Sequence, residues 1–491
     1  MFINQALIDY QKKKRARFHV PGHAGNGTLF KKRLALGSET AFQFDLTEVD
    51  DLDVLSEPTG CIAESQAWAA EIFGVQRSYY LINGASVGLM AAMLTALKAG
   101  DKVLVSRNCH RSVINGLVLT GAQPVWVLPN ADYYSQWGFW GALSIDALET
   151  AKKRQPDCKA LILPSPTYEG IGSDIAAIAT WCQKNNLLLI VDEAHGSLWP
   201  FFENLPVSAA HFACDVVVQS LHKSATSLTQ TAIAHLPHGS RIDPAAFQQA
   251  LNVLQTTSPS YLLLASLEST VGFLASAKGK ATISNCFQWV KQFRQKAKAQ
   301  LNAFSVFSPQ TEEARNYWDP AKLVIKHHNQ HHITPPDQWA IPLETQPNGI
   351  AYESINHRSA LYMGNIGLTA ADFDRLLEAL HAYEGSDFSL LKEISKPAES
   401  PDIEKIDIEK IDVEKTEANF SDRSFLPQMA LSPRAAFFSQ GSPLMPEAAV
   451  GKIAKEVIAS CPPGIPVLLP GEIITERHLP YLSNRPIMTV T

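Results

Sequence analysis

Between about Tyr79 and His235, short apolar runs rich in β-branched residues alternate with longer stretches whose apolar positions recur at helical spacing. That is the pattern of βαβ units building a mostly parallel sheet. The runs are Tyr79 to Ile82, Lys102 to Ser106, Pro124 to Leu128, Ala160 to Pro164, Leu187 to Asp192, Asp215 to Ser220 and Thr231 to His235. LLLIVD and DVVVQS are almost continuously apolar, so their strands are expected to be buried on both faces beneath helices. Sheets of this kind bind ligands just beyond the carboxyl ends of their strands.

Farther along, a long helical stretch spans Tyr261 to Phe304, and the segment from Trp318 to Glu384 mixes strand and helix before ending in an amphipathic helix, Ala370 to Tyr383. From Asp402, DIEKI, DIEKI and DVEKT follow one another; a period of five suits neither helix nor strand, and a solvated tether is expected there. Beyond it the chain regains apolar character. The expected organisation is an N-terminal arm (1–50), a large α/β domain (51–305), a smaller α+β domain (306–395), a low-complexity linker (396–425) and a C-terminal domain (426–491).

With 491 residues and 46% hydrophobic content, the chain can bury a large core. The net charge of -6 and the absence of any long basic stretch exclude an electrostatic footprint for nucleic acid. The seven cysteines are odd in number and show no CxxC spacing, so reduced thiols in a cytoplasmic protein are expected. Residues 1–17 are polar and basic with no apolar region following, which predicts no secretory signal. No apolar run approaches the roughly 18 residues that span a bilayer. His327, His328, His331 and His332 lack cysteine or carboxylate companions at ligand spacing, so a solvated loop is expected and no metal site.

Chemistry gathers at three strand ends. Asp192 closes LLLIVD, Lys223 lies just past VVVQSLH, and Asn83-Gly84-Ala85-Ser86 follows YYLI and opens a helix. Pyridoxal phosphate requires such groups: an amine for the imine, a carboxylate for the pyridine nitrogen, and an anion site for phosphate. The N-H groups and dipole at a helix start near Ala85 suit the phosphate, with hydroxyls available from Ser86 and Ser220 and an imidazole from His222. Taken singly, each of these residues is more often a solvated loop group, a helix cap or a satisfied polar side chain. Their joint placement reverses that reading.

The chain resembles the bacterial ornithine, lysine and arginine decarboxylase family, in its short form. The likeness runs through FHVPGHAGN, DLTEVDDLDVL, PTGCIAESQ, NGAS, SRNCHRS, PSPTYEGI, VDEAHG, QSLHKSATSLTQTA, TSPSYLLLASLE and CPPGIPVLLPGE. It implies an aspartate-aminotransferase-like α/β fold that binds pyridoxal phosphate at a subunit interface, hence a homodimer or larger homo-oligomer. It implies that Lys223 holds the cofactor, Asp192 pairs with the pyridine nitrogen, His110 stacks on the ring and Ala194 packs beneath it. Thr167 is then near the phenolic oxygen; Ser86, Ser220 and His222 serve the phosphate, beside Ala85. Ser258, in SPSY through Tyr261, is expected to reach a neighbour's phosphate. His195 is either catalytic or an orienting group for the loop after Asp192. The family usually has NGTS and PGHK where this chain has NGAS and PGHA, so one phosphate hydroxyl is missing and backbone N-H groups must supply more of that site.

The implied reaction is decarboxylation of arginine, lysine or ornithine to the corresponding amine, feeding polyamine synthesis. The carbon left by carbon dioxide needs a proton donor, and Lys223 and His222 both stay open for that role. Acidic groups are expected to read the substrate's distal cation; Glu472 in LLPGE resembles a position near the active-site entrance, and Asp45, Glu48 and Asp50 are further candidates. The alternatives are an aminotransferase or lyase of the same fold and a silent regulatory relative. A nucleic-acid motor is a third, since Asp192 to His195 spell DEAH, but that reading lacks an upstream GxxxxGK[ST] loop.

Overall fold

The computed structural model describes residues 1–17, 19–30, 40–329, 332–385, 428–460, 465–482 and 485–491. The repeat at 402–416 and the expected linker at 396–425 lie outside the described residues. The chain forms two compact units, Met1–Ala96 with Ile175–Thr282 and Leu97–Asp174 with Ile283–Thr491. Strands are numbered along the chain: β1 (Arg77–Leu81), β2 (Lys102–Ser106), β3 (Gln123–Val127), β4 (Ala160–Pro164), β5 (Leu188–Asp192), β6 (Val216–Gln219) and β7 (Ala232–Leu236). Each begins and ends within two residues of the apolar run that announced it.

In the first unit the strand order is β1-β7-β6-β5. β5 and β6 are parallel, with Asp192 opposite Val218, whereas β7 runs antiparallel to both β6 and β1. The departure from a wholly parallel pattern has a simple cause. A parallel return needs a crossover, usually helical, and the segment joining β6 to β7 contains no helix. Because the reversed β7 lies between β1 and β6, strands β1, β5 and β6 all point the same way. Their carboxyl ends therefore share one edge.

The helix Gly84–Ala96 covers this sheet. Gly84, at φ +83°, makes the turn from strand to helix, and a Cβ at Gly88 would sit 2.6 Å from Leu81 Cδ1 and 3.0 Å from Val218 Cγ1. Only glycine lets the helix lie this close to β1 and β6. That closeness carries the start of the helix to the shared edge.

Residues 1–50 contribute to the core of this unit: Ile3, Leu7, Tyr10 and Leu46 are buried with Ile62, Phe73, Tyr261 and Leu267. Two remote carboxylates fix the packing. Glu268, fully buried, accepts hydrogen bonds from the backbone N-H groups of Ile3 and Asn4, both at 3.0 Å, and so caps the helix Phe2–Lys12. Asp53 accepts from the N-H groups of Val54, Thr59, Gly60, Ile62 and Ala63 at 2.9–3.2 Å, capping the helix Cys61–Phe73. Tyr261 locks the backbone of Asp53 through its hydroxyl, which accepts from Asp53 N at 2.8 Å and donates to Asp53 O at 2.6 Å.

The long helical stretch expected from Tyr261 to Phe304 is two helices, Tyr261–Ala275 and Ala277–Gln300. Ser276 breaks them: its hydroxyl donates to Phe273 O at 2.6 Å and accepts from Gly279 N at 3.0 Å, a local capping arrangement that competes with helix continuation.

In the second unit, β2 lies between β4 and β3 and all three are parallel. A second sheet has the order β10-β9-β12-β11, with β8 (Phe304–Val306) also paired to β9. The strands are β9 (Lys322–Asn329), β10 (His332–Thr334), β11 (Ser354–Ile355) and β12 (Ala360–Met363). The expectation of a solvated histidine loop is corrected here. His327 and His328 sit within β9, and His332 within β10; His331 lies outside the described residues. His327 is buried, with Nδ1 2.7 Å from Thr334 Oγ1 and the rings of Phe304 and Tyr383 against it. Burial lowers its pKa to about 4. Cross-strand pairing on a half-apolar face overrides the polarity of the run. Among the described residues no group of side chains could hold a metal ion.

Arg294 holds this sheet from beneath. Its guanidinium lies 4.5 Å from the Trp318 ring centroid and donates to the carbonyls of Phe307, Pro320 and Lys322. The helix Ala370–Gly385 buries Phe373, Leu377, Leu380 and Tyr383. The C-terminal part has its own small core of Ala449, Ala454, Ile458, Leu468, Ile474, Leu482 and Ile487. Among the described residues no helix is long and apolar enough to cross a membrane.

Asp53 makes the fold testable. Burial alone would raise its pKa, but the hydrogen bonds from Thr59, Gly60, Val54 and Ala63 override it and hold the carboxyl below its usual range. Stability from this group is therefore present above the unfolded pKa of about 3.9 and is lost as pH falls through the lower native value. Asp53→Ala is expected to cost about 2 kcal/mol in urea unfolding at pH 7, since it leaves the buried N-H of Ile62 and four partly buried ones without their acceptor. Asp53→Asn is expected to flatten the loss of stability below pH 4.

Candidate active site

The edge shared by β1, β5 and β6 collects most of the expected residues. At the end of β1, Ile82 O accepts from Gln230 Nε2 at 2.7 Å, Ile82 N donates to Gln255 Oε1 at 3.0 Å, and Asn83 Oδ1 accepts from Thr256 N at 3.2 Å. These bonds hold the turn into the helix Gly84–Ala96 and bring the segment bearing Ser258 alongside it. Ala85 and Ser86 are half-buried in the first turn. No side chain among the described residues caps that turn or bonds the Ser86 hydroxyl, whereas Ser144 and Asp243 cap their own helices. The N-H groups of the first turn thus stay open to an anion.

At the end of β5, Asp192 is 7% exposed and its Oδ1 accepts from Ala194 N at 3.1 Å. Ala194 is buried beside it. Glu193, which carried no role of its own in the sequence reading, is the support of this turn. Fully buried, its carboxyl receives Ala209 N at 2.7 Å, Gln219 Nε2 at 2.6 Å and Ser208 Oγ at 2.5 Å. Its backbone N-H donates to Val218 O at 2.9 Å. Burial pushes the Glu193 carboxyl up to about 7, against the pull of Ser208, Ala209 and Gln219. DEAH contains the residue, but its partner Ser208 gives no sequence signal.

Past β6, the Ser220 side chain is buried with no hydrogen bond among the described residues. Lys223, half-buried, places Nζ 2.9 Å from His195 Nε2, and Ser224 Oγ donates to His195 O at 3.4 Å. The carboxylate turn and the lysine loop are thereby joined through His195. The ring of His222 is oriented by the backbone: its Nδ1 lies 2.8 Å from Thr231 O. A ring that donates through Nδ1 leaves Nε2 for a second partner, and burial lowers its pKa. Ser258 is exposed, but Tyr261 is fully buried and committed to Asp53. The expectation that SPSY reaches outward as far as Tyr261 is therefore corrected at its last residue.

The remaining residues belong to the second unit. His110 caps the helix Arg111–Thr120, its Nδ1 accepting from Ser112 N at 3.2 Å, so a neutral ring carries its proton on Nε2. It follows the end of β2, as Thr167 follows β4. Thr167 is buried, with Oγ1 accepting from Ile171 N at 3.2 Å. Glu472 is fully buried: Oε2 accepts from Leu469 N at 2.9 Å and lies 3.6 Å from Arg107 Nη2. Burial pushes its carboxyl up to about 7 against the Arg107 charge. Arg107 also donates to Pro466 O at 2.6 Å and Val467 O at 3.1 Å. Glu472 thus has an internal cation beside it. In the N-terminal segment, Glu48 accepts from Leu55 N at 2.9 Å and Asp45 lies 3.2 Å from His23 Nε2.

Residues 2–342 match the family model described as Orn/Lys/Arg decarboxylase, major domain. The chain is 32% identical to an arginine decarboxylase of Halalkalibacterium halodurans, over 97% of this chain and 92% of that one. It superposes on the constitutive lysine decarboxylase of Escherichia coli with a TM-score of 0.78 at 22% identity, covering 98% of this chain and 76% of that chain. With the L-threonine transaldolase of Pseudomonas fluorescens the TM-score is 0.52 at 14% identity, over 68% of this chain and 74% of that one. The last two likenesses concern the fold.

Glu193→Ala leaves Gln219, Ser208 and Ala209 N without their buried acceptor and is expected to cost about 3 kcal/mol in urea unfolding. The native carboxyl keeps its proton up to about 7, so its contribution to stability is complete below 4.5 and is lost as pH rises toward 7. The variant is expected to lack that component when unfolding is measured across the window.

Proposed function

The chain belongs to the Orn/Lys/Arg decarboxylase family of pyridoxal-phosphate-dependent amino-acid decarboxylases, and from that premise we propose that it decarboxylates a basic amino acid, arginine first, to the corresponding amine for polyamine synthesis. The observation that carries this reading is the common edge on which Lys223, Asp192 and the uncapped start of the helix Gly84–Ala96 meet. Arginine is placed ahead of lysine and ornithine because relatives that match nearly the full length at 32% identity are named arginine decarboxylases.

The residues present fit the cofactor. Lys223 supplies the amine, Asp192 a buried carboxylate for the pyridine nitrogen, and the N-H groups of the helix start, with Ser86 and Ser220, the phosphate site. Ala194 offers a flat apolar surface beneath the ring, and Ser258 a hydroxyl near the helix start. Alanine at position 85 leaves the backbone donors as the larger part of that anion site. His110 and Thr167 are assigned to the ring by the family pattern alone. When bound, the cofactor serves as the electron sink for the pair released from the carboxylate.

The protein's own part is to hold and orient. Asp192 is kept in place by Ala194 N and by the Glu193 network, so a carboxylate faces the ring without needing to reorganise. His222 is held by Thr231 O through Nδ1. A homodimer in the cytoplasm is the assembly and compartment proposed, with the exposed Ser258 at its interface.

Purified protein incubated with arginine, lysine and ornithine side by side is expected to release carbon dioxide and amine fastest from arginine. Inertness toward all three would instead favour an aminotransferase or lyase of this fold. Lys223→Ala is expected to lose turnover together with the imine absorbance near about 420 nm. Asp192→Asn is expected to keep some cofactor and lose about a hundredfold or more in rate.

A further inference from the structure

The 2.9 Å separation of Lys223 Nζ and His195 Nε2 admits two arrangements. An ammonium can donate to a bare ring nitrogen, or a ring N-H can donate to the lone pair of a neutral amine. A neutral imidazole accepting from an ammonium is the stronger of the two, because one partner is charged.

We propose that His195 is a positioning residue for Lys223: whenever the lysine is detached from the cofactor, His195 accepts its hydrogen bond, keeps it charged and holds it aimed, which makes Lys223 the proton donor of the reaction. The assignment rests on reading Lys223 as the cofactor lysine. It favours Lys223 over His222, whose Nδ1 is directed to Thr231 O at 2.8 Å.

The backbone around His195 is built to hold such a contact. Gly196 N donates to Glu193 O and Glu193 N to Val218 O, both at 2.9 Å. Ala194 N donates to Asp192 Oδ1 at 3.1 Å, and Ser224 Oγ reaches His195 O at 3.4 Å. The ring itself is 7% exposed, so it cannot swing into solvent without breaking the packing of the turn. The titratable neighbours are Asp192 on the same turn, His222 beside Lys223, and Glu193 beneath the turn. Of these, Glu193 faces Ser208 and Gln219 and His222 faces Thr231. The contact of Lys223 Nζ with His195 Nε2 at 2.9 Å is the one on which the positioning role rests.

The step balances without a further reagent. The bond from Cα to the carboxylate breaks, carbon dioxide leaves, and its bonding pair stays with the substrate. That pair takes a proton from Lys223 Nζ to form the new C-H bond. Lys223 becomes a neutral amine and can bind the cofactor again as the amine product departs. The proton consumed in each turnover comes from solvent.

The test reads the charge of Lys223 directly. Full-length protein freed of cofactor is mixed with pyridoxal phosphate, and the rate of covalent uptake is followed against pH, with borohydride reduction and peptide mapping to locate the label. A bonded ammonium resists attack, so His195→Phe, which fills the space without an acceptor, is expected to move the midpoint of the uptake profile down by about one pH unit, a roughly tenfold faster uptake below the midpoint. His195→Gln, which keeps an acceptor oxygen, is expected to restore the wild-type profile. A Phe variant that titrates like the wild type would overturn the proposal, as would a Gln variant displaced as far as Phe. Absence of label on Lys223 in the wild-type protein would sink the cofactor reading itself and is thereby distinguished.

Discussion

The direction of three strands governs everything else in the first unit. β5 and β6 are parallel neighbours with Asp192 opposite Val218, so the carboxylate at the end of one strand and the lysine loop past the other must leave the sheet on the same side. β1 joins them only because β7, reversed, separates it from β6. Had β7 run parallel, β1 paired antiparallel to it would point the opposite way, and the helix start at Gly84 would open on the far edge. A chemistry that needs an amine, a carboxylate and an anion site together thus rests on a twelve-residue connection, from Ser220 to Thr231, that is not a helical crossover.

Strand direction brings the groups to one edge, and a second layer of interactions holds them there. Glu193 ties the turn after β5 to Gln219 at the end of β6 and to Ser208 in the segment between them. Gly88 lets the covering helix settle onto Leu81 and Val218, which fixes how near its first turn comes to the edge. Each device removes a freedom that would otherwise be lost when the cofactor binds. The cost of ordering is borne in folding instead.

Much of this was legible in the sequence. All seven apolar runs became strands, because a strand buried on both faces leaves a short, nearly continuous apolar signature rich in β-branched residues. The places of Asp192, Lys223 and Ala85 followed from those strands. Three features were not legible, for different reasons. The reversal of β7 depends on what the connecting loop does, and hydrophobicity carries no sign of strand direction. The break at Ser276 depends on a side chain bonding its own backbone, one short-range competitor against a long favourable helical pattern. The histidine run was misread because polarity was taken as exposure, whereas Thr334, Phe304 and Tyr383 supply His327 with a hydroxyl and two aromatic walls from other strands and a helix.

A division of labour follows. The groups proposed to carry the chemistry lie in short local strings, NGAS, DEAH and SLHKS, because a strand end and its turn deliver several side chains to one place within a few residues. Other side chains hold the fold over large separations. Glu268 caps a helix that begins at Phe2, and Tyr261 locks the backbone of Asp53; Arg107, just past β2, binds carbonyls at Pro466 and Val467. A local string can be recognised from its residues alone, but a distant carboxylate looks like any surface acid until the fold buries it. His195 stands on the boundary between the two classes. It belongs to the recognisable DEAH string, yet its partner Lys223 lies on the next strand's loop, so the contact comes into view only with the pairing of β5 and β6.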